Sequence, residues 1–380
     1  MPQHLNQNDL EKILQAETID QLSVQQIFEL FREEKDLANY LPDAVYQTDP
    51  RDGVIITYNS ARARRPHDNV IQLPPEPEEK ACPICEGTTT GIIDVARLSE
   101  GFTFVNKNLF PILRAMDKID PQYLEKAVHD DHFPLERVSY GLHFLQWSSS
   151  YHDKDWHNMP LADRVVLLER LAALERKLLF ESEDLMPISE PWNIEKSTYG
   201  FVSIIKNYGA LVGGSLTHGH QQIAFSNIMP KRFHNNWSFF ERRKELFSSY
   251  MLRKTSPELL IRDYGEAVLL VPYFMRRPYD MLLILKDVRK QYLCELTPAE
   301  LVAVAKGWHD ATRAILTIMP RIGKATAYNV TVNNGPGAGL YVEFLPYTQE
   351  TGGFEHLGLW VCQDNPQNVA SNLNEILDGT

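Results

Sequence analysis

The apolar positions change their period along the chain, and each change marks an element. Over residues 1–45 apolar and charged residues follow a helical period (Leu10, Ile13, Leu14, then Ile27, Leu30, Phe31), which predicts one or two helices packed outside the main body. Residues 51–58 (RDGVIITY) read as a turn and a short strand, and the stretch 59–81, with its PPEPEE, as loop. A strand is predicted over 137–147, running into a polar loop, SSSYHDKDWHN. From Met159 to Phe180 the residues Leu161, Val165, Leu168, Leu171, Leu174 and Leu178 recur on one face, the stripe of a core-facing helix. FVSIIKNYGALVGGS and LTHGHQQIAF follow as two extended segments joined by a glycine-rich turn. The second half repeats the rhythm: strands in VLLVPYF and YDMLLILK, a helix in LTPAELVAVAKGWHDATRAIL, then strands in YNVTVNN and LYVEFLPY. Strand–helix–strand order thus occurs twice, with mainly antiparallel strands. This is the pattern of an α+β protein of two related halves, 46–235 and 236–380, behind a helical extension over 1–45.

Composition narrows the partners. The 380 residues are 43% hydrophobic, enough for sizeable cores. No run of ~18 apolar residues predicts a membrane helix, and the polar, acidic start MPQHLNQNDLEKILQ does not look like a secretory signal. Four cysteines are too few for a disulfide scaffold, which points to a reducing cytoplasm. A net charge of −12 repels a phosphate backbone over most of the surface, so long nucleic acid is not an expected partner. A mononucleotide is different, because a few local donors can hold it against the global field.

Three constellations carry chemistry. In His218-Gly219-His220-Gln221-Gln222 an extended backbone would put His218, His220 and Gln222 on one face, and a neutral imidazole is a competent nucleophile toward phosphorus. The bland alternative is a pair of satisfied polar residues at a strand's end. Upstream, Asn207, Gly213, Gly214 and Ser215 offer small residues and donors suited to phosphate oxygens; a tight hairpin would use the same glycines. In Cys82-Pro83-Ile84-Cys85, with Gly87 after it, both thiolates can point at one ion, so a zinc knuckle is favoured over a redox pair. No second CxxC follows, so histidine or carboxylate must complete a tetrahedral site. Arg62-Ala63-Arg64-Arg65 is either a solvated basic face or a phosphate clamp.

In this order the pieces resemble the galactose-1-phosphate uridylyltransferase family of the histidine-triad superfamily, from about Asp49 to Glu375. KNYGALVGGSLTHGHQQ is similar to its catalytic KNxGxxxGxSxxHxHxQ, ACPICEG to its zinc knuckle, DPRDGVIITYNSARARRP to its opening strand and RAxRP element, and FVNKNLFPIL to its NK-x-P stretch. The resemblance implies two histidine-triad-like halves and the following roles. His220 would be the nucleophile that forms a nucleotidyl-histidine, and Gln222 would contact the transferred phosphoryl group. Cys82, Cys85, His218 and His152, with His157 as the alternative, would hold one structural zinc. Asn207, Gly213 and Ser215 would contact phosphate, with Arg62 and Arg65 near it. Asn106 would contact the nucleotide, and Phe354 and Glu355 a sugar. The substrates would be a nucleotide sugar or dinucleotide and a phosphate-bearing acceptor, and the resemblance leaves room for a homodimer. Expected activities are hexose-1-phosphate uridylyl or adenylyl transfer, or phosphorolysis of an ADP-sugar or dinucleoside polyphosphate; the competing class is a nucleotide-binding module without catalysis. The chain departs from the family twice: Gly219 stands where proline is usual, and Leu340-Tyr341-Val342-Glu343 replaces a second metal-binding strand.

Overall fold

The computed structural model describes residues 16, 18–33, 41, 46–48, 55–57, 82–115, 138–189 and 197–379. Ten strands form one antiparallel sheet. In chain order they are β3 (Ile92–Arg97), β4 (Phe102–Lys107), β5 (Gly141–Trp147), β8 (Phe201–Tyr208), β9 (His220–Ser226), β10 (Leu260–Asp263), β11 (Ala267–Leu270), β12 (Met281–Leu285), β13 (Tyr328–Asn333) and β14 (Tyr341–Pro346). Their order across the sheet is β10-β11-β12-β14-β13-β8-β9-β5-β4-β3. Read inward from either edge, both quintets have three strands in sequence, then the fifth of the set, then the fourth. Two small hairpins stand apart, β1 (Tyr46–Thr48) with β2 (Ile55–Thr57), and β6 (Ile188–Ser189) with β7 (Thr198–Tyr199).

Each quintet has a long helix between its third and fourth strands: α2 (Leu161–Phe180) and α5 (Pro298–Arg321). The leucine stripe puts Leu168, Leu171, Leu174 and Leu178 in the core, together with Ile223 and Phe225 of β9. The start of α5 has Thr297 and Glu300 in a reciprocal capping box, with Pro298 at the first turn, where its missing N–H costs nothing. The N-terminal helix α1 (Val24–Glu33) is built into this core, because Ile27, Phe28 and Phe31 are buried there. Leu10, Ile13 and Leu14 lie outside the described residues.

With α2 against one face of the first quintet, the period-2 alternation of β9 sends Gln222, Ala224 and Ser226 to the other face. There they line a trough of about 290 Å³ with Ser203 and Ile205 of β8, His143 of β5, and Lys231. Lys231 opens α3 (Lys231–Arg243), which is followed by α4 (Phe247–Lys254). After β14 come a short turn of helix, α6 (Gly353–His356), and the closing α7 (Pro366–Asp378). No helix among the described residues is long and apolar enough to cross a membrane.

Candidate active site and metal centre

The Cys82–Gly87 turn is closed by backbone hydrogen bonds, Glu86 N–H to Cys82 O and Gly87 N–H to Ile84 O, both 3.0 Å. Gly87 has φ +81°, a conformation that glycine adopts without strain. The turn aims both thiols at His218 and His152. Cys82 Sγ lies 3.7 Å and Cys85 Sγ 3.6 Å from His218 Nδ1, and Cys85 Sγ lies 3.5 Å from His152 Nδ1. All four donor atoms are within 4.8 Å of one another.

These separations fit a tetrahedral ion, whose ligands at about 2.0–2.3 Å stand roughly 3.5 Å apart. The tautomers fit too. His218 Nε2–H donates to Ser149 O at 2.8 Å, which leaves the Nδ1 lone pair facing the thiols, and His152 Nε2 is 3.0 Å from the Thr217 hydroxyl. Burial pushes His218 down to about 4, so its ring is neutral at neutral pH. Burial and the neighbouring Cys82 push the Cys85 thiol up to about 12, a penalty that a bound cation would relieve. His152, not His157, is the histidine the fold brings to the cysteines, and this is the one such Cys/His/carboxylate group among the described residues. Glu343, in the second half, is instead engaged by Arg232 (3.3 Å), Thr331 and Asn333.

His218 stands two residues ahead of β9, which begins at His220, and both imidazoles pack against the ring of Trp147. The two histidines are linked through the backbone, with His220 Nδ1 2.8 Å from His218 O. Nδ1 therefore carries the proton, and Nε2 is the unprotonated ring nitrogen. Trp147 of β5, register partner of His220, packs its ring against the imidazole at 4.9 Å between centroids. Asn106 holds that indole, accepting from Trp147 Nε1–H at 2.9 Å while donating to the Thr90 hydroxyl at 3.0 Å. Gln222 follows two residues after His220 and lines the trough.

The glycine-rich turn between β8 and β9 is sterically determined. Gly209 (φ +90°) has no room for a Cβ, which would meet Thr326 O at 2.5 Å, and Gly213 is left-handed at φ +85°. Asn207 Oδ1 accepts from Asn329 Nδ2–H at 2.8 Å, tying this turn to β13. Ser215 lies half-buried on the run into His218. Phe354 is 62% exposed, and the Glu355 carboxylate is used within its own turn, accepting from the N–H groups of Gly352 and Val361. Arg62 and Arg65 lie outside the described residues.

Lys206 stands in the KNYG segment, but sequence pattern gave no sign of its partner Asp155; the fold buries the two as an ion pair of 2.7 Å beside β9. An aspartate within HDKDWHN looks like a solvated loop residue, and nothing local links it to a lysine 51 positions on. His143 and Lys231, both on the trough, were equally invisible, because their neighbours there come from other segments.

The sheet is large and antiparallel, with the two long helices on one face and Gln222 of the HxHxQ segment on the other, an α+β arrangement. No protein-family model matches the chain. A solved uridylyltransferase superposes with a TM-score of 0.64 at 18% identity, covering 88% of this chain and 99% of that one. An ADP-glucose phosphorylase from Arabidopsis thaliana, solved with bound ADP-glucose, gives a TM-score of 0.58 at 17% identity over 87% and 98% of the two chains. In sequence, the chain is 21% identical to the ADP-glucose phosphorylase of Arabidopsis thaliana over 352 residues, 86% of this chain and 92% of that protein. The chain thus shares the fold of these uridylyltransferase and ADP-glucose phosphorylase structures.

Proposed function

We propose that the protein is a nucleotidyl-transferring enzyme that works through a covalent nucleotidyl-histidine at His220. The observation that carries this reading is the His220 Nδ1–H bond to His218 O, which leaves Nε2 unprotonated two residues before Gln222, which lines the trough. Nε2 attacks the α-phosphorus of a nucleotide sugar, the phosphate-bearing leaving group departs, and a phosphate or sugar phosphate then takes the nucleotidyl group from the imidazole. Gln222 donates to the transferring phosphoryl oxygens, and Ser215, Asn207 and the backbone around Gly213 hold the remaining charge. Arg62, Arg65 and Asn106 are assigned to the nucleotide, and Phe354 with Glu355 to the sugar.

Cys82, Cys85, His152 and His218 would hold one zinc, which when bound cross-links the knuckle, the loop after β5 and the residue that anchors His220. It supplies rigidity, and the chemistry stays with His220. The shared strand order of the two quintets supports reading them as two related halves, the second without the triad. Hexose-1-phosphate uridylyl or adenylyl transfer is the leading activity. The ADP-glucose phosphorylase relative favours a second reading, phosphorolysis of an ADP-sugar by the same nucleophile.

Incubation with UDP-glucose or ADP-glucose should add one nucleoside monophosphate to the intact mass, and the donor that does so names the base. His220→Ala should abolish both adduct and turnover with the fold retained, since removing a covalent nucleophile removes the path itself. Turnover by His220→Ala near the wild-type rate would sink the mechanism.

A further inference from the structure

Asp155 and Lys206 are 5% and 1% exposed, and their ion pair is therefore almost fully desolvated. Such a pair gains little stability over apolar residues of the same volume, because desolvating two charges costs about what their attraction returns. Its position suggests a different use. β8 pairs with β9 from Phe201↔Ser226 to Ile205↔Gln222, so the ladder stops two residues short of His220. Gly219 O is held from the other side, by Ser148 N–H at 2.8 Å. Successive carbonyls on a strand point to opposite sides, so His220 O faces β8 beyond the end of the ladder. Lys206 Nζ donates to that oxygen at 3.2 Å.

Asp155 holds the lysine there and is itself held. Its carboxylate accepts from the Ser148 hydroxyl and the Trp156 N–H, both at 2.9 Å. Burial acts to push this carboxyl up, but the Lys206 charge and these hydrogen bonds bring it below its ordinary value. Asp155 also fills the space beside residue 219: a Cβ on Gly219 would lie 2.6 Å from Asp155 Cγ. Glycine is thus required between the two histidines, and glycine leaves their peptide units the freest to rotate. The imidazole depends on those units, because its Nδ1–H is aimed by His218 O.

We propose that Lys206 and Asp155 are positioning residues for His220: the lysine replaces the missing ladder bond at the His220 carbonyl, and the aspartate locks the lysine in the space that Gly219 leaves open. This rests on the reading of His220 as nucleophile. Lys206→Met or Asp155→Asn alone strands a buried charge and lowers Tm. The double variant Asp155→Asn/Lys206→Met strands none, so its Tm returns toward wild type. A merely structural pair would then return the rate as well; a positioning pair would not.

The test is single-turnover adduct formation from ADP-glucose and UDP-glucose, followed by intact mass. In the double variant the rate at saturating donor should fall about 10- to 100-fold with the half-saturating concentration changed less than about threefold, the pattern of a misaimed nucleophile. A wild-type rate in the double variant, or a loss confined to half-saturation, overturns the proposal. Gly219→Ala keeps both charges and displaces Asp155, so it should lose rate by about 10-fold or more even if the double variant does not fold; an undiminished rate there also overturns it. Nitrogen-15 histidine NMR needs no substrate. The Nδ1–H signal lost in His220→Ala should shift or broaden in the double variant and in Gly219→Ala, and an unchanged signal in folded protein overturns the proposal. If the wild type forms no adduct with either donor, nucleotidyl transfer fails, while the imidazole spectrum still decides positioning.

Discussion

Gln222 sets the fate of the proposed intermediate. It stands on β9 between Leu145 and Ile205, two residues after His220 and on the trough. Its amide can donate to a phosphoryl oxygen but has no proton that titrates near neutral pH, so it does little to promote attack by water. The nucleotidyl-histidine should therefore hydrolyse slowly alone and discharge much faster when the correct acceptor is added. Gln222→His should slow productive transfer by about 10- to 100-fold and narrow that gap, since it misplaces one donor to the transferring group. The measurement is release of nucleoside monophosphate from isolated adduct, with and without phosphate or a hexose 1-phosphate. Equal rates with and without acceptor would make the protein a hydrolase. The roles proposed for His220 and Gln222 are read from their spacing. The contacts that hold Asn106, with Trp147 and Thr90, are not, because those partners come from other segments.

At the scale of elements, the knuckle turn is tied to β9 through His218 and to the loop after β5 through His152, and these ties would be metal bonds. Metal analysis should find one zinc per chain. Cys85→Ser should lose it and lower Tm, because a ligand bound only by the folded state stabilises that state. Protein made with zinc available that contains none would refute this, and two zinc ions per chain would restore a site in the second half. Helix α2 offers a second test. Glu175, fully buried on it, accepts from Cys294 N–H at 2.9 Å and from Asn334 Nδ2–H at 2.5 Å. Burial outweighs these bonds and pushes its carboxyl from 4.5 up to about 7. A carboxyl with a raised folded value binds its proton more tightly when folded, so its contribution is greatest below the unfolded value and falls as pH rises through the window from 4.5 to about 7. Relative to Glu175→Gln, which does not titrate, the wild type should lose up to about 3 kcal/mol across that window. Urea midpoints of both proteins from roughly pH 5 to pH 8 would show this. Parallel profiles would contradict it.

The whole molecule is joined along a seam. β8 pairs with β13 from Tyr208↔Tyr328 to Ile204↔Val332, the rings of Tyr208 and Tyr328 stack at 4.9 Å, and Asn207 bonds Asn329. On the helical side, Trp156 stacks on Trp308 at 4.3 Å, and one apolar cluster runs from Ile19 to Ile376. A piece ending at residue 235 would expose the pairing edge of β8 and half of that cluster, a template for aggregation. The full chain should melt in a single cooperative calorimetric transition, and residues 1–235 expressed alone should aggregate or remain unfolded. A soluble 1–235 piece with its own cooperative melt would show that the halves are independent.

Local period determined the helices and strands, since a face that must be buried writes its spacing into the sequence. The α2 stripe, the β9 alternation and both arms of the second-half repeat follow from it. Motif spacing likewise singled out His220, Gln222 and the two cysteines of the knuckle, because those groups lie close together in sequence. Only the tertiary structure decided that His152 joins the cysteines, that His218 sits ahead of its strand, and that Asp155 and Lys206 meet beside it. The same holds for the single sheet, in which β8 finds β13 more than a hundred residues away. These are contacts between segments that place no periodic demand on either one, so neither sequence carries a trace of the other.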